Sequence, residues 1–513
     1  MRLFAGLLPR APGWSRQQEF KRLLAFVPAV VIGLLGSAMW SAPDGIPPQP
    51  IDSFLLSLHT LETRHAHKVR ILHFGDSHIA SDTESSVVRS YLQSRFGDGG
   101  PGLALPWGGP RLSSLNFNYG NTSGWQRVHP TYSSPEEDTG LSLSYIEAAS
   151  PNQRAWVEAE GSEFCVYYLM QPEGGDAEFL LDGSLLGQKN MNTGFAQVQA
   201  ARFSASGADA WHRFEIRTLG YGRVRILGVS VEKSTPGVIY SALGLVGARA
   251  EYLLKCRAQT FEAQVAAEQP DLILIAYGTN ESSGSHLDES AYDSALSGII
   301  TRLRRAAPSA LVVLLTPPDR GAIYPGETQR IQRILQEVIT VQKEVATREG
   351  AVLMDLHAAM GGAGTAQRWA AMQPPLARPD MTHFTSEGYD LLGRYIVGGI
   401  MKLYGSGADS GESASVGPMD PRNRLAELLP PLYPASSAAS APSPAAIRSR
   451  VPPPEPVSTS SSQIFYFLKY DGQLVVTNDL STVNYSQGRL VSSEEAECLL
   501  RRKTYPCDNA NRW

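Results

Sequence analysis

Four apolar runs constrain the fold of this chain: VRILHF at 69–74, DLILIAYG at 271–278, ALVVLLTPP at 310–318 and AVLMDL at 351–356. Each reads as a strand buried on both faces, the pattern of a parallel sheet. Helical patterns lie between them, including SSVVRSYLQSRF, SALSGIITRLRRAA, TQRIQRILQEVITVQKEVATREG and SEGYDLLGRYIVGGIMKLY. Alternating strands and helices predict an α/β architecture, a parallel sheet flanked by helices. The texture changes between 112 and 231. Short alternating segments such as FCVYYLM, AEFLLDG, HRFEIRTL and RVRILGVSVE are separated there by Gly, Asp and Asn turns. This predicts an all-β sandwich inserted after the first strand of the α/β domain. The α/β domain then takes residues 45–111 and 232–404.

The ends of the chain read differently. Arg2, Arg10, Arg16, Lys21 and Arg22 precede an uncharged run over 23–40. That is the pattern of a signal-anchor or signal peptide, with the basic flank cytoplasmic, and it predicts a periplasmic or other extracytoplasmic protein held at the inner membrane. A Pro-rich tether and an amphipathic helix, IDSFLLSLHTLETRH, follow. Residues 405–462 are a Ser/Ala/Pro linker, disordered by composition. The remainder, 463–513, is read as a small α+β tail with a hairpin turning at Asp471-Gly472 and a short helix holding Cys498. With only four cysteines, no disulfide framework is expected. Cys165 and Cys256 are expected as buried thiols, and Cys498 and Cys507 as a bridged pair. No Cys/His cluster has zinc-ligand spacing, so no metal is expected. A net charge of −5 offers no broad basic field for nucleic acid.

Three motifs fall at the ends of the predicted strands. HFGDSH places Ser77 where the first strand turns into a helix, at the sheet edge where open α/β folds bind ligands. A serine there is exposed, and its backbone N–H can face a developing oxyanion, although a helix N-cap has the same signature. AYGTNE brings Asn280 to the same edge, where its amide can donate to an oxyanion or close an Asx-turn. DMTHFTSEGY supplies Asp380 and His383 from one loop: a base for the serine, and a carboxylate to orient that base.

The order and local sequence of these motifs resemble the SGNH (GDSL-like) hydrolase superfamily. Gly75-Asp76-Ser77 matches its first block, Gly278-Thr279-Asn280 its third with Glu281 in place of the usual aspartate, and Asp380-x-x-His383 its fifth. The resemblance implies a catalytic triad of Ser77, Asp380 and His383. It also implies an oxyanion hole made by the Ser77 N–H, the Asn280 side chain and a glycine N–H from SALGLVGAR, with Gly247 preferred to Gly244. A narrower resemblance, over residues 65–404, is to bacterial peptidoglycan O-acetylesterases and O-acetyltransferases that carry a carbohydrate-binding-module-like β-sandwich. Relatives tend to have Asn where Val246 stands here.

The resemblance implies an exported serine esterase that removes O-acetyl groups from an envelope glycan, with no metal or organic cofactor. The O-acetylated glycan polymer and the inner membrane are the expected partners. An O-acetyltransferase would use the same triad, and a non-catalytic carbohydrate-binding protein is the reading from a different class. Trp125 and Trp211 are candidates for stacking on sugar, or for the sandwich core.

Overall fold

The computed structural model describes residues 49–107, 116–130, 134–322 and 326–406, and three strands between 465 and 491. The N-terminal basic and apolar segment, the Ser/Ala/Pro stretch after residue 406, the Asp471-Gly472 turn, Cys498 and Cys507 all lie outside them. Among the described residues no helix is long and apolar enough to cross a membrane.

The amphipathic stretch forms α1 (Pro50–Arg64), which starts on a proline and buries Phe54, Leu58 and Leu61. Strand β1 (Lys68–Gly75), the one-turn helix α2 (Ser77–Ala80) and α3 (Thr83–Phe96) follow. The glycine-rich segment that follows, from Gly97, holds two short strands, β2 (Asp98–Gly100) and β3 (Gly102–Ala104). The β-rich region contributes β4 (Asn118–Asn121), β5 (Gln126–Val128), β6 (Tyr145–Ala148), β7 (Arg154–Gly161), β8 (Glu163–Met170), β9 (Asp176–Leu181), β10 (Ser184–Asn190), β11 (Gln197–Ser204), β12 (Ala210–Gly220) and β13 (Val224–Glu232). After β14 (Gly237–Gly244) come α4 (Tyr252–Lys255), α5 (Ala258–Glu268), β15 (Leu272–Ala276), α6 (Glu289–Ala306), β16 (Leu311–Leu315), α7 (Glu327–Glu349), β17 (Val352–Met354), α8 (Leu356–Met360), α9 (Thr365–Ala370) and α10 (Ser386–Ser406).

The main sheet has the order β17-β16-β15-β1-β14-β2, with every pair parallel. Its central strands are apolar along their length because helices cover both faces. On one side, Phe54, Val88, Leu92 and Leu392 from α1, α3 and α10 close over Val69, Ile71 and Leu274. On the other, Phe261, Leu296, Val338 and Val345 from α5, α6 and α7 cover Leu72, Phe74 and Ile273. Strand β14 does not stand out among the apolar runs, yet it lies directly beside β1. Its GVIYSALG carries a Ser and two glycines, which shorten the apolar signal to Val-Ile-Tyr.

Two antiparallel sheets, β10-β9-β12-β7-β4 and β11-β8-β13-β6-β5 with β3 beside β13, form the all-β insertion. Phe214 stacks between Phe164 and Phe179, with centroids 5.4 and 6.2 Å away. Trp125 is buried in the same core, which corrects its candidacy for sugar stacking, whereas Trp211 is 54% exposed. All of β13 is buried: Val224, Ile226, Val229 and Val231 face the sandwich interior, and Leu227 joins the cluster of Leu103, Tyr167, Phe261 and Val265. The second sheet is therefore seated on α5. Cys165 and Cys256 fill this junction as free buried thiols, and burial pushes both up to about 11. Polar contacts reinforce the seat, since Glu232 at the end of β13 pairs with Lys68 at 2.9 Å and Arg70 at 3.0 Å on β1.

Among the described residues, the C-terminal unit holds a three-stranded antiparallel sheet. Its strands β18 (Phe465–Lys469), β19 (Leu474–Thr477) and β20 (Gly488–Val491) have the order β19-β18-β20. Strands β18 and β19 pair antiparallel, with Phe465 opposite Thr477 and Leu468 opposite Leu474.

Candidate active site

Gly75 ends β1 between Gly244 of β14 and Ala276 of β15. A Cβ on Gly75 would fall 2.3 Å from Ile79 Cγ1, and one on Gly244 would fall 2.1 Å from the Ala80 nitrogen. Two glycines at this level let α2 begin hard against the sheet. Asp76 caps that helix, its carboxylate accepting from the His78 N–H at 3.0 Å. Ser77 is thereby held, partly exposed, at the C-terminal edge of the central strand.

The structure brings Ser77, His383 and Asp380 together. His383 Nε2 lies 3.0 Å from Ser77 Oγ, and its Nδ1 lies 2.8 Å from Asp380 Oδ2. The other Asp380 oxygen accepts from the N–H of His383 at 2.9 Å and of Thr382 at 3.0 Å. Burial alone would raise the Asp380 carboxyl, but the hydrogen bonds from His383 and Thr382 bring it down to about 2. Ionised, it holds the proton of the imidazole on Nδ1 and leaves Nε2 to accept from the serine. The loop is tied at both flanks: Arg378 N–H donates to the His383 carbonyl and Gly321 N–H to that of Met381, each at 2.8 Å.

On the other side of Ser77, Asn280 follows β15. One N–H of its amide donates to the Ala248 carbonyl at 2.8 Å, leaving the second for a ligand. Glu281 is buried and accepts from the Ala250 N–H at 2.7 Å. Burial pushes its carboxyl up to about 7, with the Ala250 bond opposing. Asn280 and Glu281 thus grip the segment after β14 on the C-terminal side of Gly247. Gly247 has φ of +75° with open space where a side chain would be, and the neighbouring Val246 is 53% exposed. The two glycines are therefore distinct in kind: Gly244 is needed for close packing, and Gly247 for a left-handed turn.

Two further residues stand beside the triad. His78 is buried, with Nδ1 3.1 Å from the Tyr389 hydroxyl and its ring 5.6 Å from that of His383. Burial, together with His383 and Arg320, lowers it to about 3, so it stays neutral and does not oppose a positive His383. Arg320 donates to the Thr279 carbonyl at 2.6 Å and to Ser283 Oγ at 2.7 Å, close enough to Asp76 and Asp380 to interact with both charges. Arg320 lies in no recognisable motif and is brought in by packing alone, whereas His78 closes the HFGDSH motif, which is read for Ser77 only. Among the described residues no group of His, Cys, Asp and Glu side chains converges as a metal site.

Residues 209–391 match the GDSL-like Lipase/Acylhydrolase family. The matched segment contains Gly247, Asn280, Asp380 and His383 but not Ser77, which lies upstream of the β-rich insertion. Among curated proteins no sequence match was found. A solved structure of a peptidoglycan O-acetylesterase superposes with a TM-score of 0.59 at 22% identity, covering 69% of this chain and 96% of that one. This similarity shows a shared fold over that part of the chain. A family two carbohydrate esterase from Clostridium thermocellum, solved with cellohexaose, is 12% identical over 51% of this chain and 95% of its own, with a TM-score of 0.25.

Proposed function

The chain carries a GDSL-like acylhydrolase domain of the SGNH type, and from that premise we propose that it is a serine esterase removing O-acetyl groups from a glycan, with O-acetylated muramic acid in peptidoglycan as the substrate. The observation that carries the reading is the continuous hydrogen-bonded line from Asp380 through His383 to Ser77. In this mechanism His383 Nε2 takes the Ser77 proton as Oγ attacks the acetyl carbonyl carbon. The resulting oxyanion is met by the backbone N–H of Ser77 and of Gly247 and by the free N–H of Asn280. The imidazolium, stabilised by ionised Asp380, then protonates the departing sugar oxygen. Water, deprotonated by the same imidazole, releases acetate from the acetyl-serine and restores the enzyme.

The choice of polymer is supported by the peptidoglycan O-acetylesterase whose structure shares the fold over 69% of this chain. Export to that polymer is supported by the basic and apolar N-terminal segment over residues 1–44. The test is acetate release from O-acetylated peptidoglycan by the full chain, with Ser77→Ala as control. Wild type should release acetate, and the variant should fall to the uncatalysed background. Equal release by both would remove Ser77 from the mechanism. Acetate appearing on an added glycan acceptor, rather than free in solution, would turn the reading into acetyl transfer.

A further inference from the structure

We propose that the cavity between the β-sandwich and the end of β14 receives a carboxylate of the glycan substrate, bound by Arg127. The inference rests on the esterase reading above. The cavity encloses about 90 Å³, room for several waters or a carboxylate group. Its walls on the catalytic side are Ile79 and Ala80, two and three residues after Ser77, and Gly244, three residues before Gly247. Leu105, Tyr119 and Arg127 close it from the insertion. The proposal places a neighbouring substituent of the sugar in this cavity when the acetyl group sits on Ser77.

Two guanidinium groups border the cavity, and their situations differ. Arg89 is neutralised by Asp82, donating to its two oxygens at 2.9 and 2.7 Å, and it also meets the Asn116 amide oxygen once that amide is turned. Arg127 donates from Nη2 to Ser144 Oγ at 3.2 Å, while its Nε is buried without a partner. Among the described residues no carboxylate pairs with it, and burial lowers its pKa. A cation withdrawn from water with no counter-ion is unfavourable, and an anion entering the cavity relieves that. The flat, forked guanidinium suits a carboxylate, and the one carboxylate that lines the cavity, Asp82, is taken up by Arg89.

The experiment is calorimetric titration of the full chain with the disaccharide N-acetylglucosaminyl-N-acetylmuramic acid, whose lactyl group is a carboxylate, and with its methyl ester. Wild type should bind the acid roughly 10- to 100-fold more tightly than the ester, the range for a charge-assisted hydrogen bond. Arg127→Gln should abolish that preference, and Arg127→Lys should keep part of it. Equal affinities in wild type, binding of neither compound, or a preference that survives Arg127→Gln would overturn the proposal. The disaccharide carries no acetyl ester on a sugar hydroxyl, and mass spectrometry after the titration checks that the methyl ester is intact, so binding is read without turnover. A protein that shows the preference but releases no acetate from peptidoglycan would refute the esterase reading alone.

Discussion

Glu281 makes the stability of this protein depend on pH in a direction opposite to that of a salt-bridged carboxylate. Burial raises its carboxyl from 4.5 to about 7, so the folded chain holds a proton there that the unfolded chain releases earlier. The stability this group contributes is complete below 4.5 and is lost as pH rises through 7. At 1.36 kcal/mol per unit, the loss between about pH 5 and pH 8.5 is about 2.5 kcal/mol. Glu281→Gln keeps an oxygen for the Ala250 N–H and cannot ionise. Urea unfolding of both proteins at the two pH values should therefore move the stability difference by that amount, in favour of the variant at the higher pH. Taking the difference cancels the buried acids that do not act on Glu281, Glu84 at about 8 and Glu268 at about 7, whereas Asp76 helps to raise Glu281 and stays within the measured effect. A difference that does not change with pH would show that Glu281 is ionised in the folded protein and would refute the reasoning.

Asp380→Asn should lower kcat on an acetyl ester by roughly 10³- to 10⁴-fold with little change in KM, because an amide does not hold the tautomer that leaves Nε2 as an acceptor; steady-state kinetics would show it. The two glycines after β1 and β14 separate by stability: Gly244→Ala drives a methyl into the Ala80 backbone, whereas Gly247→Ala meets open space and bears only the strain of φ at +75°. Thermal melts should therefore show Gly244→Ala strongly destabilised and Gly247→Ala reduced by only about 1 kcal/mol. Activity of the folded Gly247→Ala protein then reports whether that N–H must keep its position for the oxyanion.

The parts of the site legible in the sequence are those built locally. An apolar run that ends in Gly-Asp-Ser is both a buried strand and its turn, and Asp380 and His383 meet across three residues because one loop closes on itself. The alternating texture of the insertion likewise announces strands, since each side chain's face follows from its position in the chain. What lay beyond the sequence is where elements meet. Ser77 and His383 are 306 positions apart, and only the order of the sheet puts them in contact. Strand β14, muted by its glycines and serine, becomes the neighbour of β1 through its register with Gly75. Trp125 and Trp211 carry the same side chain, yet one is core and the other exposed, because burial depends on what packs against a strand. Arg320 beside the triad and Arg127 at the cavity belong to the same class, and tertiary packing alone decided their charge environments. Periodicity and turn chemistry act over a few residues, whereas desolvation and pairing act through space, and so the elements were written in the chain while their electrostatics awaited the fold.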